Sequence, residues 1–198
     1  MPPTPRAARS LRWLVWPAAA LVTLGLVSHS SYSAFSSKVT NGGNKLAAGT
    51  VSLADDDAGA AALSLTNLKP GASGSRCIAV TSTGTLASSV KLYAAEVAVT
   101  KGLGSYVTWT VTQGTGGSFG SCTGFTALAS GSSVYTGTLA AFTTAASSFG
   151  TGVGTWAPSG ASTETRSYQL AYAVSPNAPD SVQGGTAAFD LVWEAQNT

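Results

Sequence analysis

Histidine is nearly absent: the 198 residues contain one, His29, with one methionine, Met1, and two cysteines. Charge is also scarce, at 9% of residues. His29 stands just behind an N-terminal apolar run of the kind removed on export, so the working chain lacks the commonest general base and metal ligand. Ser-His and Cys-His nucleophilic catalysis is therefore excluded, as are histidine-ligated zinc sites. No other stretch is long and apolar enough to span a membrane. No cofactor-binding signature is present, and no catalytic, cofactor or metal residue is assigned.

What is there begins with that apolar run. Arg6, Arg9 and Arg12 precede Leu11–Val27, which gives way to the small and polar residues Ser28–Ala34. This order reads as a secretory signal over residues 1–33. Ser31 and Ser33 suit the −3 and −1 pockets of a signal peptidase, which places the cut at Ser33/Ala34. An uncleaved anchor is the alternative, against which Pro17 and Gly25 weaken the run as a spanning helix. Removal of Arg6, Arg9 and Arg12 from ten basic residues leaves seven against eight acidic ones, a net charge of about −1. The electrostatic footprint of a nucleic-acid binder goes with them. The protein is expected to be secreted, extracellular or at the cell surface. It would meet the membrane only through the signal before cleavage, since Glu194–Thr198 is no anchoring tail.

Residues 34–198 suffice for a single domain with its own core. Cys77 and Cys122 enter an oxidising compartment, where a disulfide is the expected state and two buried thiols the alternative. Period-two alternation with β-branched and aromatic residues marks strands at Val51–Ala54, Leu63–Thr66, Cys77–Thr81, Val90–Val99, Tyr106–Thr112, Tyr168–Val174 and Phe189–Glu194. Turn signals separate them: Asp55–Gly59, Lys69-Pro70-Gly71, Thr83-Gly84, Gly116-Gly117 and Gln183–Gly185. Tyr135–Phe149 has room for a short helix, and Gln113–Ser121 and Ser147–Thr165 read as loops. The expected fold is all-β, a jelly-roll-like antiparallel β-sandwich preceded by a cleavable signal peptide.

Several short motifs occur in a telling order. Ala34-Phe35 opens the mature chain, followed by Ala48-Gly49-Thr50-Val51-Ser52-Leu53, Asn67-Leu68-Lys69-Pro70-Gly71, Thr83-Gly84-Thr85-Leu86 and finally Phe189–Ala195. This order resembles the TasA/camelysin family of Gram-positive secreted proteins, closely over residues 34–93 and weakly at the last strand. The cysteine pair is similar to that of an actinobacterial branch. The resemblance implies a jelly-roll sandwich, processing by a dedicated signal peptidase of the SipW type, and assembly into fibres of the biofilm matrix. Such a homopolymer grows when an N-terminal segment of one subunit completes the sheet of the next. Here the candidate donor is Ala34–Ala48, with Phe35, Val39 and Leu46 as pegs; a plain flexible leader is the alternative.

Camelysin itself is classed as a metallopeptidase, so enzyme readings need weighing. With its cysteines paired, this chain offers zinc only carboxylates, whereas catalytic zinc takes three ligands from His, Glu/Asp or Cys. Ser88-Ser89-Val90-Lys91 spells Ser-x-x-Lys, but on a strand Ser88 and Lys91 point to opposite faces. Asp190 and Glu194 share a strand face roughly 13 Å apart, beyond the ~5–9.5 Å of a glycosidase pair. Gly150–Gly154 lacks the strand–helix context of a phosphate cradle. Asp55-Asp56-Asp57 reads as a solvated acidic turn rather than a Ca²⁺ site, because adjacent residues rarely converge on one ion. A secreted carbohydrate- or surface-binding module is the other class, with Tyr106, Tyr135 and Trp156 as candidate sugar-stacking aromatics.

Overall fold

Alternation of β-branched, aromatic and small residues builds eight strands in the computed structural model, which describes residues 49–58 and 68–198. The strands are β1 (Leu53–Asp55), β2 (Ser73–Ser82), β3 (Ser88–Val99), β4 (Val107–Thr115), β5 (Thr126–Ala127), β6 (Ser133–Thr138), β7 (Glu164–Val174) and β8 (Ala187–Asn197). A single described α-helix, α1 (Leu139–Ala145), follows β6. The signal, the Ser33/Ala34 cut, the donor pegs Phe35, Val39 and Leu46, and the strand expected at Leu63–Thr66 lie outside the described residues.

Two antiparallel sheets form an all-β sandwich. The larger runs β1-β2-β7-β4, with β5 and β6 both paired to β4. The smaller consists of β3 and β8, in register from Ser88 opposite Asn197 to Val99 opposite Ala187. A bulge between Ala95 and Ala98 interrupts that ladder, and Glu96 there takes a positive φ of 47°. Bulges strengthen the local twist and re-aim the strand.

The core lies between the sheets. Ile78 and Val80 of β2, Tyr168 and Leu170 of β7, and Trp109 and Val111 of β4 face Val90, Leu92 and Ala94 of β3. Rings bridge the layers: Trp109 meets Phe189 edge-on at 5.7 Å, and Tyr168 meets Trp193 at 5.3 Å. Trp109 is fully buried. Burial holds the Tyr168 hydroxyl far above the ordinary tyrosine range, which fits an uncharged core position.

Sequence details explain the punctuation. Pro70 and Gly71 occupy the central positions of a turn closed by Ala72 N–H to Lys69 O at 2.9 Å, and Gly71 takes φ 79°. A type II turn needs that left-handed residue. Helix α1 starts at Thr138, whose hydroxyl accepts from the Ala141 N–H, and buries Leu139 and Phe142.

Three expectations need correction. Gln113–Thr115, read as loop, continues β4, because Gln113 and Gly114 pair with Tyr168 and Ser167 of β7. Tyr135–Thr138, placed in the helical stretch, is strand β6, since Thr136 and Tyr135 pair with Thr110 and Val111. Trp156, offered as a sugar-stacking aromatic, is buried at 4% exposure. Its segment replaces a strand along one edge of β3. The N–H groups of Ser88, Val90, Leu92 and Ala94 donate to the carbonyls of Pro158, Trp156, Val153 and Ala146 at 2.8–3.1 Å. That spacing, every second residue, is the ladder of a sheet carried by an irregular partner.

Candidate functional site

One edge of β3 is thus covered by residues 146–158 and the other by β8. The outer edge of β8 has no strand partner among the described residues. It is an eleven-residue strand, Ala-Ala-Phe-Asp-Leu-Val-Trp-Glu-Ala-Gln-Asn. Alternation points Phe189, Leu191 and Trp193 at the core, where they pack against it while staying half-buried. By contrast Val90, Leu92 and Ala94, on the flanked strand β3, are at most 3% exposed. The opposite face of β8 carries Asp190 and Glu194. An open groove lined by Leu68, Pro70, Gly185 and Thr186 adjoins the start of the strand. N–H and C=O groups without a strand partner among the described residues, beside half-covered apolar side chains, form a template for another strand.

The outer face of this sheet is otherwise ordered. Tyr93 O–H donates to Glu194 Oε2 at 2.8 Å, and Gln196 Nε2 donates to Glu194 Oε1. The hydrogen bond to Glu194 is the main cause that lifts the Tyr93 hydroxyl above its ordinary range. Lys91, opposite Glu194 in the ladder, donates instead to Gly154 O at 2.7 Å. Ser88 is buried on the core side of β3 while Lys91 lies on the other face, so the Ser-x-x-Lys spelling brings no hydroxyl to an amine.

A second cluster holds the outer face of the larger sheet. Cys77 and Cys122 are joined, with Cα atoms 5.0 Å apart, and Cys77 is fully buried beneath the Gly116–Gly124 excursion. Gly120 N–H donates to Cys77 O, and Arg76 Nη1 donates to Gly120 O at 3.1 Å. Asp56 completes the clamp. Its Oδ1 accepts from Ala79 N–H at 2.8 Å and its Oδ2 from Phe119 N–H at 2.7 Å. The acidic turn is therefore only partly solvated, because its middle carboxylate is a structural acceptor. Beside it, partial burial and then the hydrogen bond and charge of Asp57 raise the Asp55 carboxyl above its ordinary range. Replacing Asp56 by Ala should cost about 1–2 kcal/mol in urea unfolding, and Asp56→Asn less, since one oxygen remains to accept. Equal stability of all three proteins would show the clamp to be inert.

The remaining acids are dispersed. Glu164 accepts from both the N–H and the hydroxyl of Ser159, which hold its carboxyl below the usual range. Asp180 accepts from Gln183 Nε2 at 2.8 Å. Glu96 and Asp190 are exposed on β3 and β8. Among the described residues there is no histidine, and no three His, Cys, Asp or Glu side chains are grouped to hold a metal ion. The donor set does not fit a catalytic zinc. The remaining sugar-site candidates are half-buried: Tyr135 packs its ring 5.0 Å from Phe142 and Tyr106 packs against the core. No helix among the described residues is long and apolar enough to cross a membrane.

Comparison with known proteins gives one family. No curated protein matches the chain. The family model for camelysin metallo-endopeptidase matches residues 15–105. The match starts inside the N-terminal apolar run, takes in β1, β2 and β3, and spans every one of the ordered motifs except the last, Phe189–Ala195. Residues 15–105 are thus similar to the camelysin family, the one that the ordered motifs resemble.

Proposed function

We propose that the protein is a secreted, non-catalytic structural subunit of the extracellular or cell-surface matrix that polymerises with copies of itself by strand addition. The edge of β8, which has no strand partner among the described residues, supports this reading. It offers an eleven-residue ladder of backbone donors and acceptors next to apolar side chains that lack full cover. Family resemblance supplies the context: a processed N-terminus beginning at Ala34 and a sandwich that grows by donated strands. The family's peptidase name is set aside in this reading, because no three His, Cys, Asp or Glu side chains are grouped among the described residues. The carbohydrate-module reading loses its main support with the burial of Trp156.

Mature protein purified from culture supernatant should form polymers visible by electron microscopy as its concentration rises, with no ligand added. It should leave casein intact with or without a chelator. Monomers at every concentration would overturn the assembly reading. Proteolysis abolished by a single carboxylate substitution would overturn the non-catalytic one.

A further inference from the structure

We infer that the Cys77–Cys122 bridge is a redox latch. Closed, it fastens the 116–124 excursion on β2 and, through Asp56, fixes β1; open, it lets both loosen while the sandwich stays folded. This inference is independent of the assembly reading, since it uses neither the edge of β8 nor any contact between copies.

The excursion is built to move as a unit. Its base is the pairing of β4 with β5, Gly114 opposite Ala127 and Thr115 opposite Thr126. Just above that base the two legs pinch together, so that a Cβ on Gly116 would meet the Gly124 carbonyl. The tip closes on itself: Ser118 N–H donates to Ser121 O and Ser121 N–H to Ser118 O, both at 2.9 Å. A surface loop whose ends lie together can detach without breaking the sheet that carries it. Four ties hold it to its surroundings. They are the bridge at Cys122, Gly120 N–H to Cys77 O, Arg76 Nη1 to Gly120 O, and Phe119 N–H to Asp56 Oδ2. Without the covalent tie, three hydrogen bonds and the half-buried Phe119 must order nine residues, 116 to 124. The ordering entropy of those residues outweighs the net worth of three such bonds.

Asp56 passes the state of the loop to β1. That strand pairs with β2 at three positions, Leu53, Ala54 and Asp55 opposite Ser82, Thr81 and Val80. Asp56 adds a fourth, because its N–H donates to Ala79 O at 3.2 Å and its Oδ1 accepts from Ala79 N–H at 2.8 Å. Its Oδ2 is the oxygen on Phe119. With the loop closed, both carboxylate oxygens are occupied and the side chain is fixed. With the loop open, Oδ2 turns to water and nothing but Ala79 holds the carboxylate. Residues 50–52 have separate anchors, since the Thr50 and Ser52 carbonyls accept from Thr83, Thr85 and Leu86. The loosening is therefore confined to Leu53–Ala58.

Opening is thiol–disulfide exchange with a dithiol. Cys77 is fully buried and Cys122 half-buried, so the reductant's thiolate attacks the Cys122 sulfur. Cys77 leaves as a thiolate and takes a proton. The second thiolate of the reductant then closes its own disulfide and releases Cys122, which also takes a proton; two electrons have passed from the dithiol to the bridge. Closing is the reverse reaction with a disulfide-bearing oxidant, and in an oxidising compartment the latch stands closed.

Hydrogen exchange of the mature full-length protein, with and without dithiothreitol, tests the latch. Reduction should speed exchange at 116–124 and at 53–58 about tenfold or more, while β3, β4 and β7 stay protected. Coupling is reciprocal, so Asp56→Ala should shift the equilibrium with a buffer of oxidised and reduced dithiothreitol about tenfold toward the reduced protein, and Asp56→Asn less. Both results support the inference. Faster exchange at 116–124 alone, with an unshifted redox equilibrium, would make the bridge a staple of its own loop and overturn the coupling. Faster exchange throughout would make it a support of the whole sandwich and overturn the latch. So would a bridge that dithiothreitol reduces only after the protein has been unfolded.

Discussion

Deleting Ala34–Ala48 should abolish polymers while leaving the far-ultraviolet circular dichroism of the sandwich nearly unchanged. The two parts of this expectation rest on different physics. The described core between the sheets is assembled from residues 53–195, none of which the deletion removes. The donor brings Phe35 and Val39, each worth roughly 1.5–3 kcal/mol when fully buried. It also brings the backbone ladder that fixes orientation. Association must first overcome at least about 4 kcal/mol of lost translational and rotational freedom. Loss of the pegs alone therefore weakens association by about 10²-fold or more. The truncated subunit still presents β8, so it should cap any end that offers a donor. Added to full-length protein at a small fraction, it should shorten the polymers. Robust polymers from the truncated protein would sink the donor role, though not the place in the matrix.

How much of this was legible in the sequence depends on how local each feature is. The long strands β2, β3, β4, β7 and β8 could be read because their alternation is a property of neighbouring residues. The Lys69-Pro70-Gly71 turn was equally plain, since proline and glycine fix it alone. Strand β6 was missed because Ser133–Thr138 is rich in serine, threonine and glycine and is held by β4 rather than by its own apolar face. Trp156 sits among glycines and serines that look like open loop. Its burial follows from carbonyls 146–158 serving the N–H groups of β3, a contact over about sixty residues of sequence. Asp56 is the same case in miniature, because the Ala79 and Phe119 N–H groups that occupy it lie 23 and 63 residues away. The edge of β8 that no described strand pairs was the least legible feature. An amphipathic strand announces its faces but not its neighbours, which only the sheet order supplies.

Removing the Cys77–Cys122 bridge should produce the largest loss of stability of any change at the larger sheet. In the chain-entropy model, freeing a 45-residue separation costs about 4 kcal/mol. For a domain of this size that corresponds to a fall of roughly 8–16 °C in melting temperature. The bridge also holds the excursion whose backbone serves Asp56, Arg76 and Cys77, so the effects should be coupled rather than independent. In the double variant Cys77→Ala, Cys122→Ala, the further change Asp56→Ala should cost less than it does in the oxidised wild type. Its partner at Phe119 is then no longer held in place, and residues in one network are not additive. Reduced wild type and the double variant should unfold at similar denaturant concentrations, which separates the cross-link from the packing of the sulfur atoms. Non-reduced mature protein, once unfolded, should take up no thiol reagent. Uptake of two equivalents would show that the exported chain carries free thiols, and the stabilisation assigned to the bridge would then have to come from packing alone.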